Sequence, residues 1–286
     1  MTKLRDLVAL TKPRITLLVL ITMLGGMGLA RRVEPSAEFS LSKALFALLG
    51  TALVVSGASA FNMYLERDTD ALMNRTKNRP LPAGRLPPRA ALLVGSALGF
   101  ASVPLLLWTV NLTTGLIAGL ALVTYSFVYT PLKRRTTLAL PIGAVPGAVP
   151  PLLGWTAVTG RVDIAGLVLF GILFLWQLPH SLAIATFRCD DYRAAGTKVL
   201  PAELGDRVTR VHIVIESILL VGVSVLLVPL GVAGAFYLIS ALLLGGAFLA
   251  FAFAGLRRAA GLRWARWLFA ASIVYLVLLM AALTVG

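Results

Sequence analysis

Apolar residues fill long stretches of this chain, without the alternation of a half-buried strand or the single apolar stripe of a surface helix. The stretches run at 15–30, 41–64, 90–110, 112–130, 137–157, 164–186, 212–232, 234–255 and 267–285. Most approach the ~20 residues that a helix needs to cross a bilayer core. The pattern predicts an all-α, polytopic membrane bundle of nine transmembrane helices, with residues 1–286 as one domain and the termini on opposite sides. Lys3, Arg5, Lys12 and Arg14 give the first stretch the look of a signal peptide. It runs straight into Arg31-Arg32 without a small-x-small cleavage site, so it reads as a helix.

Composition agrees: 58% of residues are hydrophobic and 13% charged, with a mean hydropathy of +0.89, which excludes an ordinary soluble domain. A single cysteine, Cys189, excludes an intramolecular disulfide and any Cys-cluster metal site. The net charge of +14 does not imply nucleic acid, because the charges punctuate apolar spans and do not build a basic face on a soluble fold. With the N-terminus cytoplasmic, only Arg31, Arg32, Lys43 and Arg161 fall outside, so 22 of the 26 lysines and arginines lie inside. That asymmetry predicts a cytoplasmic N-terminus and a non-cytoplasmic C-terminus, and the expected location is the cell's inner (plasma) membrane as a multi-pass protein.

Candidate chemistry sits at the inner mouths of the spans. At the end of the second, Asn62-Met63-Tyr64-Leu65-Glu66-Arg67-Asp68-Thr69-Asp70 sets Asn62, Glu66 and Asp70 four residues apart. If the helix continues, their oxygens share one face and Asp68 points elsewhere, about 160° away on the helical wheel. Hard oxygen ligands suit Mg²⁺, which takes one or two carboxylates and completes its shell with water and substrate phosphates. Arg75 and Arg79 follow directly and suit the phosphates. The alternative is a solvated charged loop.

A second acidic mouth, Asp190-Asp191, closes the sixth span, and a bundle could bring it beside the first to share metal ions. Between them, Lys133-Arg134-Arg135 is either a phosphate-binding loop or a positive-inside anchor. The fifth span carries Pro141, Pro146, Pro150 and Pro151 with Gly143 and Gly147. The carbonyls that such kinks free require neighbouring protein, so this span should form an interior wall. In the sixth, Trp176-Gln177-Leu178-Pro179-His180 is a polar and aromatic patch inside an apolar run. His180 is a candidate haem ligand or base, or a residue that hydrogen-bonds a neighbouring helix.

Taken together, Leu10–Arg14, the Asn62–Asp70 block with Arg75-Thr76 and Arg79-Pro80-Leu81, Tyr129–Arg134, the run ending Gly154-Trp155, Trp176–His180 and Asp191-Tyr192 resemble the UbiA-type intramembrane prenyltransferases, and specifically their haem branch, the protoheme IX farnesyltransferases (haem O synthases). The resemblance runs in order from about residue 10 to 201; the last three spans add only hydropathy. It implies a bundle around a central cavity opening at a cytoplasmic polar cap. Such enzymes move a farnesyl group from farnesyl diphosphate to a vinyl group of haem b, with addition of water. Haem b is then a substrate, Mg²⁺ the cofactor, and proteins of haem A and terminal oxidase assembly are possible partners. Asn62, Glu66, Asp70, Asp190 and Asp191 would hold metal, and Arg75, Arg79, Lys133 and Arg134 the diphosphate. Glu66 replaces the family's usual aspartate at the middle of the first motif. In the second, four residues beyond Asp190 or Asp191 stand Ala194 and Ala195 where many relatives carry acid. A prenyltransferase acting on an aromatic quinone precursor, or a transporter with charged broken helices, are the alternative readings.

Overall fold

The computed structural model describes residues 2–257 and 260–285; Arg258, one of the cations counted inside, and Gly286, which carries the C-terminal expectation, lie outside the described residues. Helices follow in the order α1 (Thr2–Leu10), α2 (Pro13–Val33), α3 (Leu41–Leu65), α4 (Arg67–Asp70), α5 (Pro88–Thr109) and α6 (Leu112–Val123). A π-helical turn, Thr124–Tyr129, joins α6 to α7 (Thr130–Leu132). There follow α8 (Ala139–Thr159), α9 (Ile164–Phe187), α10 (Cys189–Ala194), α11 (Leu200–Glu203), α12 (Gly205–Val225), α13 (Ala235–Ala254) and α14 (Leu262–Val285). Among the described residues nine of these elements are long and apolar enough to span a membrane, as the hydrophobic pattern predicts.

Two boundaries differ from the pattern for physical reasons. The seventh stretch, expected at 212–232, is a helix at Gly205–Val225. Hydropathy passes over Asp206, Arg207 and Arg210 in its first two turns, although a helix continues past the hydrocarbon edge. Its far end is cut short because Pro229 and Gly231, at φ 70°, sit in the turns that follow. The fourth span widens into the π turn just before Pro131, which has no N–H to offer the ladder.

The bundle is tied together by one large apolar core reaching from Met23 on α2 through Trp155 on α8 and Ile172 on α9 to Leu279 on α14. The proline- and glycine-rich α8 is the most buried span, the interior wall that its composition predicts. It packs so closely on α2 that a Cβ at Gly26 would overlap the carbonyl of Pro151, and one at Gly154 that of Met23. Large apolar residues such as Phe100, Trp108 and Leu243 point outward, where a bilayer takes the place of water. The start of α2, the ends of α3, α7 and α9 and the first half of α12 meet around one cavity at one end of the bundle.

Candidate active site at the helix mouths

At that end, α3 gives way to a one-residue break. Glu66 leaves helical geometry, at φ −96° and ψ 3°, and α4 resumes for a single turn. The four-residue spacing survives, since Glu66 N–H donates to Asn62 O at 2.9 Å and Asp70 N–H to Glu66 O at 2.7 Å. Asn62, Glu66 and Asp70 therefore line one cavity of about 400 Å³, a size within the ~300–1,000 Å³ of small-molecule sites. Asp68 points away: its side chain is 79% exposed, against 1% for Asp70.

Each of the three groups is met by a cation from a different segment. Lys12 Nζ donates to Asn62 Oδ1 at 3.0 Å, Lys133 Nζ to Glu66 Oε1 at 2.7 Å, and Arg79 Nη1 to Asp70 Oδ2 at 2.6 Å. Asn62 Nδ2 donates to the Thr130 hydroxyl at 3.3 Å, which fixes the amide so that its oxygen faces Lys12. Burial opposes ionisation of Glu66, but the charge and hydrogen bond of Lys133, with Asn62 and the Lys12 charge, together hold the carboxyl below the usual range. Burial likewise opposes the charge on Lys133; the Tyr129 and Glu66 oxygens overcome it and push its pKa up. Lys133 also lies over the Tyr129 ring, 4.3 Å from its centroid.

Two features decide what this arrangement can hold. Lys12, Arg75, Arg79 and Lys133 outnumber Glu66, Asp70 and Glu216 four to three around the cavity, which suits a polyanion better than a bare cation. Yet Asp70 Oδ1 is buried with no hydrogen-bond partner among the described residues, a costly state for a carboxylate oxygen unless a ligand completes it. Among the described residues no three His, Cys, Asp or Glu side chains cluster as metal ligands. Two carboxylates and an amide are instead the donor set with which Mg²⁺ fills its shell from water and a phosphate substrate. The residues present fit Mg²⁺ on those terms.

The other sequence-level candidates are distributed unequally. Arg75 lines the cavity, donates to the Tyr192 hydroxyl at 3.2 Å and stacks on that ring. Arg134 lines an adjoining cavity of about 380 Å³ that shares Glu66, Thr69, Lys133 and Thr197 with the first. Asp191 and Asp190 are absent from the lining of both; Asp191 lies 3.5 Å from Arg188, and the Asp190 side chain is fully exposed beside Arg193. From that second mouth, Tyr192 is the side chain that reaches the cavity. His180 is also outside it: Nδ1 pairs with Ser272 Oγ at 2.7 Å, and the ring packs between Trp176 and Phe269.

Several lining residues escape the sequence reading. Lys12 passes there for an anchor, yet it adopts a left-handed backbone, φ 46°, that no other described non-glycine residue shares. Strain of this kind, between α1 and Pro13, persists where surrounding structure enforces it. Tyr125 and Tyr129 enter through the π turn, and His212 and Glu216 from the middle turns of α12. The Thr-Lys-Pro sequence and an acid inside an apolar span were the available signals.

The chain matches the model of the UbiA prenyltransferase family over residues 19–277. It is 60% identical to the protoheme IX farnesyltransferase of Sorangium cellulosum (strain So ce56), covering 94% of this chain and 100% of that one. To the protoheme IX farnesyltransferase of Anaeromyxobacter dehalogenans (strain 2CP-C) it is 49% identical, over 98% and 93% of the two chains. Among solved structures, a digeranylgeranylglyceryl phosphate synthase shares the fold with a TM-score of 0.84 at 18% identity, covering 100% and 99% of the chains. A UbiA homolog from Archaeoglobus fulgidus bound to GPP and Mg²⁺ shares it with a TM-score of 0.65 at 17% identity, covering 97% and 99%. With a mouth-lining acid cluster in a nine-span bundle and identity this high over nearly its whole length, the chain belongs to the UbiA prenyltransferase family and, within it, to the protoheme IX farnesyltransferases.

Proposed function

We infer that this protein transfers the farnesyl group of farnesyl diphosphate to a vinyl group of protoheme IX, with addition of water, giving haem O. The observation that carries the reading is the convergence of Asn62, Glu66 and Asp70 with Lys12, Lys133 and Arg79 in one cavity. Asn62, Glu66 and Asp70 hold Mg²⁺ together with the substrate diphosphate, as the buried, unpartnered Asp70 Oδ1 supports. When bound, the metal neutralises the charge that develops on the departing diphosphate. Arg75, Arg79, Lys12 and Lys133 grip the same oxygens, arginine by its planar fork and lysine as a point charge. Arg134 extends the basic lining into the adjoining cavity. Asp191, 3.5 Å from Arg188, and the fully exposed Asp190 lie outside the lining of both cavities and carry no role in this reading.

The allylic cation left by the diphosphate survives only where water is scarce. Leu140, Pro141, Leu182 and Leu200 supply apolar lining for it beside the polar cluster. The haem vinyl then attacks, and one water closes the reaction. Incubating the purified protein with Mg²⁺, farnesyl diphosphate and either haem b or an aromatic acid tests the reading by product mass. A farnesylated aromatic product with no haem product would transfer the assignment to a quinone precursor. The orientation inferred from charge places this site on the cytoplasmic side. A reporter fused to the C-terminus should then read as non-cytoplasmic, and one inserted at 257–261 as cytoplasmic; the reverse pair would invert the protein.

A further inference from the structure

The reaction needs a group to take a proton from the water that ends it, and the acid cluster is poorly placed for that task. Three carboxylates line the main cavity: Glu66, Asp70 and Glu216. Lys133 and Arg79 clamp the first two at 2.7 and 2.6 Å. Glu216 differs. Its one ion-pair neighbour among the described residues is His212, one turn earlier on α12, with Nδ1 3.7 Å from Oε1. Its other oxygen, Oε2, is buried and has no hydrogen-bond partner among the described residues. It also reaches the cavity from a separate wall, since α12 packs on α9, α11 and α13, whereas the diphosphate cluster hangs from α3 and the segments around it.

A carboxylate inside an apolar span is costly and persists where it serves a function. Helix packing does not account for Glu216, whose free oxygen bonds to no neighbouring helix and whose residue lines the cavity. We propose that Glu216 is the catalytic base that accepts the proton of the water added to the prenylated haem, with His212 passing that proton onward. This rests on the farnesyl transfer inferred above. The C1–O electron pair leaves with diphosphate, and the vinyl π pair forms the new C–C bond, which puts the positive charge on the vinyl carbon next to the porphyrin ring. A lone pair of water forms the C–O bond at that carbon. Its proton goes to Glu216 Oε2, leaving a neutral acid and a hydroxyl on the product. His212, 48% exposed, connects the acid to solvent. No oxidant or reductant is required.

Without the base, the same cation discharges by losing a proton from the adjacent carbon, which gives a farnesylated haem lighter by one water. The test is therefore product partition in E216Q, supplied with Mg²⁺, farnesyl diphosphate and haem b in isotopically heavy water, with E216D alongside. General bases contribute ~10²–10⁴-fold, so the hydrated-to-unhydrated ratio should fall about tenfold or more in E216Q and recover partly in E216D. Partition does not depend on how much of the variant folds. An unchanged ratio in E216Q, with wild-type protein forming the hydrated product, would overturn the assignment of Glu216 and leave farnesyl transfer standing. Wild-type protein that forms no farnesylated haem would overturn farnesyl transfer itself.

Discussion

Replacing Arg79 by alanine separates the diphosphate grip from everything else in the cavity. Its Nη1 lies 2.6 Å from Asp70 Oδ2, with Arg79 29% exposed and Asp70 1%. A charge-assisted contact to the leaving group is worth ~1.5–3 kcal/mol, so kcat/KM for farnesyl diphosphate should fall about ten- to hundredfold. Haem affinity should stay within about twofold, because the contact is to phosphate and not to the acceptor. The same truncation strands the Asp70 carboxylate; stranding a fully buried charge costs ~3–5 kcal/mol, and the partial exposure of Arg79 puts this case at or below the low end. Adding Asp70→Asn to Arg79→Ala removes the stranded charge, so thermal stability should recover while turnover does not. Steady-state assays at varied farnesyl diphosphate, haem titration by absorbance and thermal unfolding in detergent measure the three quantities. Wild-type kcat/KM in Arg79→Ala, or a loss confined to haem binding, would refute the assignment of Arg79 to the leaving group.

The remaining predictions follow from the same geometry. Asp70→Ala should abolish turnover in the same assay while the protein still inserts and binds haem, whereas Asp68→Ala, on the exposed face, should stay within about twofold of wild type. Calorimetry should show weak Mg²⁺ binding to the free protein and much tighter binding with a non-hydrolysable farnesyl diphosphate analogue, since two cation-paired carboxylates hold a divalent ion poorly alone; equal affinity in both states would remove the shared-shell argument. His180→Ala should lower thermal stability by about 1–3 kcal/mol through the lost Ser272 bond and aromatic packing, with the haem absorption spectrum unchanged. A shifted spectrum would instead put His180 in the acceptor pocket.

Much of this protein was legible from the chain. Hydrophobic length alone specified nine spans, because a bilayer requires each crossing helix to satisfy its own backbone and to present apolar side chains over its whole length. The four-residue spacing of Asn62, Glu66 and Asp70 likewise carried their shared face, a local property that survived the break at Glu66 because the two backbone hydrogen bonds across it remain. What only the tertiary structure decided are pairings between distant segments. Nothing local indicates that Lys12 meets Asn62, that Lys133 meets Glu66, or that Tyr192 and not the adjacent acids faces the cavity. Glu216 was hidden for the same reason: hydropathy shows an acid within an apolar span, but not which wall it faces. Helix rotation and crossing set those directions, and they follow from close approaches such as Gly26 and Gly154 between α2 and α8, where the absence of a side chain matters through the partner it admits.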